Sequence, residues 1–68
     1  MGRFHKYVRM KSPLTENVIA DEANERTYVV MADRVLSDGE IYRAIRLEIM
    51  RRGAPLARGE RVVITLAR

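Results

Sequence analysis

Few side chains here could do covalent chemistry. The chain has 68 residues, no cysteine and a single histidine, His5. Nucleophilic catalysis needs an activated nucleophile beside a base. His5 stands in a basic segment with no carboxylate near it in sequence, and no thiol exists for it to activate. Asp21, Glu22 and Glu25 sit close together, but without the alternating oxygen ligands of a calcium loop. They read as a solvated turn. A phosphate cradle needs a glycine-rich loop feeding a helix N-terminus. The one glycine so placed, Gly39, lies between Asp38 and Glu40, which repel anions. The sequence therefore predicts no catalytic residue, no metal site, no cofactor and no small-molecule substrate. It predicts a protein that is not an enzyme and acts by binding.

Arginine is the residue type left to bind with. Eleven arginines stand against two lysines, and the net charge is +4. Guanidinium groups suit bidentate contacts to carboxylate or phosphate. Two sets of residues follow from their spacing. The first is Arg43, Arg46, Leu47 and Met50, two cations and two apolar anchors within two helical turns. Apolar anchors flanked by arginine are typical of protein interfaces. The second is Arg3, Lys6, Tyr7, Arg9 and Lys11, with Arg58 and Arg61. There aromatic and basic residues interleave on a strand, as in sheets that stack nucleic-acid bases. One tyrosine is a thin platform, and basic residues on an edge strand also serve to block aggregation. The protein–protein reading comes first and nucleic-acid binding is the alternative.

The elements that position these residues are legible in part. Leu36-Ser37-Asp38-Gly39-Glu40-Ile41 carries a capping box, Ser37 with Glu40, and a hydrophobic staple, Leu36 with Ile41. Asp38 and Glu40 favour the positive pole of a helix dipole, and Arg51 and Arg52 the negative pole. Gly53 suits the left-handed residue just past a helix, and Pro55 stops it from continuing. A helix over about 38–52 is expected. Thr27 to Ala32 and Arg61 to Ala67 are β-branched, apolar runs, and both read as inner strands. Residues 3–10 read as a strand with Phe4, Lys6, Val8 and Met10 on a buried face and His5, Tyr7 and Arg9 on a wet one.

Residues 12–26 allow two readings. Ser12 and Pro13 could open a helix. Alternatively, Asn17 to Asp21 is a short strand that turns through 22–26 into the next one. The hairpin is preferred, because Leu14, Val18, Ile19, Ala20 and Ala23 keep no clean helical stripe.

The expected fold is a single small α+β domain. A mixed sheet of three or four strands carries one helix on one face and contains a strand-helix-strand unit, 27–32, 38–52 and 61–67. On that helix Ile41, Tyr42, Ala44, Ile45 and Ile49 should face the sheet. Leu47 and Met50 point away from it, and nothing in a one-helix fold covers them. The sheet's other face has the same problem. This surplus of apolar surface predicts a protein partner or a second copy, with a homodimer expected of so small a chain. No stretch could span a bilayer and nothing resembles a signal peptide, so a cytoplasmic protein is expected.

Overall fold

The computed structural model describes residues 4–54 and 56–66. Five elements follow in order: β1 (Phe4–Lys11), β2 (Leu14–Asp21), β3 (Arg26–Ala32), α1 (Asp38–Arg52) and β4 (Arg61–Thr65). They form one mixed sheet of order β1-β2-β3-β4 with α1 packed on one face. The β1–β2 and β2–β3 pairs are antiparallel, and β3–β4 is parallel. The expected α+β architecture and its strand-helix-strand unit are both present.

The 12–26 segment is the hairpin arm, and it is longer than expected. Strand β2 runs back to Leu14 and is a central strand, with Thr15 to Ile19 all buried. Its turn into β3 is organised by Asp21. That carboxylate accepts from the Asn24 backbone N–H at 3.3 Å and from the Asn24 side-chain amide at 3.1 Å. Asp21 is itself buried, so the acidic cluster is not a purely solvated turn; Glu22 and Glu25 are exposed.

Two expectations about the strands change. Strand β4 is an edge, not an inner strand. The 22–25 connection folds β2 directly onto β3, so β2 takes the side that β1 could have taken. Strand β1 then lies at the opposite edge. Its supposedly buried face is open, with Phe4 exposed, Val8 half-buried and Met10 77% exposed. The reason is reach: one helix spans about two strands, and α1 sits over β3 and β4. Two other expectations, the Ala67 end of β4 and Pro55 as a stop signal, lie outside the described residues.

Helix α1 forms where its signals place it. Ser37 accepts from the Glu40 N–H, and the Glu40 carboxylate accepts from the Ser37 N–H at 2.9 Å. Gly53 closes the helix in the left-handed region at φ 71°, donating its N–H to the Ile49 carbonyl at 3.1 Å. Leu36 and Ile41, the two halves of the staple, are both buried. Ile41, Ala44 and Ile45 pack on Ile19, Tyr28, Val30 and Val62 of the sheet. Full burial of a side chain such as Ile41 contributes about 1.5–3 kcal/mol. Tyr42 departs from expectation: it turns outward and is exposed.

The connection 33–37 crosses over β2 and is held by one buried amide. Asn17 is fully buried and accepts from the Leu36 N–H at 2.9 Å. Its NH2 group donates to the carbonyls of Val30 at 3.1 Å and Arg34 at 3.2 Å. A polar residue thus stands in the core where it ties the backbone of Arg34 and Leu36, which lies outside the sheet ladder, to β2.

Several local structures rest on ionised carboxylates. Side-chain bonding to Asn24 holds Asp21 below its ordinary pKa. Glu40 is lowered first by the Ser37 N–H and then by Arg34. Glu60 is lowered by the Ala57 N–H and by Arg52. A carboxylate whose pKa is depressed by folding stabilises the fold above its unfolded value and loses that contribution as pH falls through the folded value. Unfolded carboxylates titrate near about 4. Stability should therefore be level from neutrality down to about pH 5 and fall steeply below about pH 4. Urea midpoints measured across this range check it. A midpoint that rises toward pH 3 would contradict the assignment of these bonds.

Candidate protein interface

The outward side of α1 presents the residues that the sequence singles out. Leu47 is 54% exposed and Met50 70% exposed, and Arg43 and Arg46 are exposed beside them. Ladder spacing puts Glu40, Arg43, Ala44 and Leu47 along one flank of the helix, at i, i+3, i+4 and i+7. Together with Leu66, which follows β4, these residues line a groove of about 250 Å³. Leu66 is fixed there because its N–H donates to the Met31 carbonyl at 2.9 Å. The groove is too small for a drug-sized ligand. It is large enough to receive apolar side chains.

The electrostatics of this surface differ from the rest. Most surface cations already have a carboxylate partner. Lys6 pairs with Asp38, Arg34 with Asp33 and Glu40, Arg51 with Glu48, Arg52 with Glu60 and Arg58 with Glu25. Among the described residues, Arg26, Arg43, Arg46 and Arg61 form no ion pair, and Arg26 instead donates to the Leu56 carbonyl at 2.8 Å. Two of these four flank Leu47 and Met50.

The second candidate set is divided by the fold. Arg3 lies outside the described residues. Lys6 points to the helix side, where it bonds Asp38 at 2.6 Å and approaches the Leu36 carbonyl at 3.4 Å. Tyr7, Arg9 and Lys11 share the face without a helix, and Arg61 joins them from β4. Arg58 is in the loop before β4. The Glu16 carboxylate lies 3.7 Å from Arg9 and 3.9 Å from Lys11. His5 is likewise engaged, its Nε2 lying 2.9 Å from Glu22. Carboxylates amid the basic residues oppose phosphate contacts.

The face without a helix is less bare than expected. Tyr7, Val18, Val29 and Val63 form one row across it. The two central valines are 2% and 1% exposed, so the chain shields them itself. What remains open is the row's two ends, Tyr7 and Val63, the latter 56% exposed. The surplus apolar surface is thus concentrated at α1 and at the sheet edges.

Sequence reasoning missed Glu40, Ala44 and Leu66 as parts of this surface. The i, i+4, i+7 spacing of Glu40, Ala44 and Leu47 was a usable signal. The presence of Leu66 was not readable, because it depends on which edge β4 occupies.

Among the described residues, no group of three or more His, Asp or Glu side chains gathers as a metal site would require. Among the described residues, no helix is long and apolar enough to cross a membrane. No protein-family model, curated protein or solved structure matches the chain.

Proposed function

We propose that this protein is a non-enzymatic interaction module that works by docking on another protein surface, a second copy of itself in the first instance. Leu47 and Met50 are the anchors, and Arg43 and Arg46 orient the contact. The observation that supports this reading most is the coincidence on one helix side of exposed apolar side chains, a groove and unpaired guanidinium groups. Apolar surface left in water stabilises nothing until something covers it. Unpaired arginines beside it give a partner's carboxylates or carbonyls a place to bind.

Static light scattering over a wide concentration range tests the proposal. The unmodified chain should associate. Replacing Leu47 and Met50 together by Glu should lower the molar mass to that of a monomer and leave the helical circular dichroism intact, since both side chains lie outside the core. Association that survives the double change would remove this surface from consideration. The nucleic-acid alternative is tested with the same sample. Titration with generic DNA and RNA should give little binding even at low salt. Tight binding that weakens steeply as salt rises would favour the basic strand instead.

A further inference from the structure

The two edges of the sheet are built differently, and the difference says how copies could join. Strand β1 is protected. It carries His5, Lys6, Arg9 and Lys11 within eight residues. In the antiparallel self-pairing centred on residue 6, Lys6 faces Lys6, and in the one centred on residue 10, Arg9 faces Lys11. Like charges directly opposite are unfavourable. Strand β4 carries a single cation, Arg61 at its start. From Val62 to Leu66 it reads Val-Val-Ile-Thr-Leu, with no charge, proline or glycine. An uncharged, β-branched edge is a template for another strand.

The backbone of β4 is also arranged for it. Thr27 donates its N–H to the Glu60 carbonyl, and Leu66 donates to the Met31 carbonyl. Directions alternate along a strand, so 60, 62, 64 and 66 face β3 and Arg61, Val63 and Thr65 present their N–H and C=O groups outward. An antiparallel partner centred on Val63 sets Val63 opposite Val63 and Arg61 opposite Thr65. Each of these is a pair that exchanges two backbone hydrogen bonds. No two cations meet in this register, and the helices fall on the same face.

We infer that two copies of this chain join along β4, antiparallel about Val63, into one continuous sheet with their α1 helices side by side over the joint. Helix α1 lies over β3 and β4, and strands are spaced about 4.8 Å. The two helices would then lie roughly 10 Å apart, the distance of packed helices. The flank that meets at the joint is the groove flank, with Arg43, Ala44 and Leu47. One isologous contact thus uses the β4 edge, the groove and Leu47 together. The inference rests on the docking proposal above and adds the edge that carries it.

A crosslink and a backbone block test it. The chain has no cysteine, so Val63→Cys introduces one thiol per copy. Residues in a hydrogen-bonded antiparallel pair have Cα atoms about 5.5 Å apart, within disulfide reach. Val63→Cys should oxidise to a covalent dimer, and Val35→Cys, an equally exposed site away from β4, should not. Val63→Pro removes an outward N–H that β3 does not use, as proline tolerates on an edge. It should raise the dimer dissociation constant about 100-fold. Val63→Lys, which places like charges across the dyad, should do the same without touching the backbone, and decides the matter if the proline variant fails to fold. A dimer that is sensitive to the Leu47 and Met50 changes, yet neither crosslinks at 63 nor weakens in Val63→Lys, overturns the β4 joint and leaves the docking proposal standing. A chain that stays monomeric at every concentration overturns both.

Discussion

Replacing Asn17 by alanine is expected to remove a large share of the chain's stability. The side chain is fully buried and serves three backbone groups: the Leu36 N–H, the Val30 carbonyl and the Arg34 carbonyl. Each buried polar group left without a partner costs about 1–3 kcal/mol, and the deleted volume adds a cavity. A total of about 3–5 kcal/mol is expected. At about 0.05–0.15 kcal/mol per residue, a chain of this length holds only about 3–10 kcal/mol in all. Asn17→Leu restores the volume but not the hydrogen bonds, and should be nearly as damaging. Urea unfolding followed by circular dichroism at one protein concentration measures both. A leucine variant as stable as the parent would mean that the amide only fills space. The effect should also reach the helix, because the bond to Leu36 fixes the residue before the N-cap.

The second large effect is at Ile41. Its side chain has no exposed surface and meets Leu36 across the helix entry while packing on the sheet. Ile41→Ala should cost about 2–5 kcal/mol, the range for deleting a fully buried aliphatic side chain. Leu47→Ala, six residues later on the same helix, should change monomer stability by no more than about 0.5 kcal/mol. The contrast matters more than either value. One helix then carries a folding side and a separate outward side, and the mutations that test association at Leu47 and Met50 are readable without a folding defect. Near-equal losses at both positions would show that Leu47 is part of the core.

The helix was legible because its signals are local. The Ser37 and Glu40 capping pair, the Leu36 and Ile41 staple and Gly53 act within a few residues of one another, and the structure uses each as expected. Strand β3 was legible because β-branched and aromatic residues run together from Thr27 to Val30. Of the candidate surface, Arg43, Arg46, Leu47 and Met50 could be placed on the outward side from periodicity alone. Tyr42 could not. Periodicity gives an angle around the helix, and how far a half-turned aromatic is covered depends on the width of the sheet beneath it.

Composition and local spacing by themselves determined the helix, its caps and the α+β class. Strand order was decided only by the tertiary structure. Whether β4 is central or an edge, and whether Phe4 and Met10 are buried or open, turns on the short 22–25 connection placing β2 against β3. That choice is non-local: apolar alternation along a strand says which side chains share a face, and says nothing about which strand lies beside it. The same holds for Asn17, whose partners at Val30, Arg34 and Leu36 are 13 to 19 residues away and come within hydrogen-bond reach only when the sheet has formed.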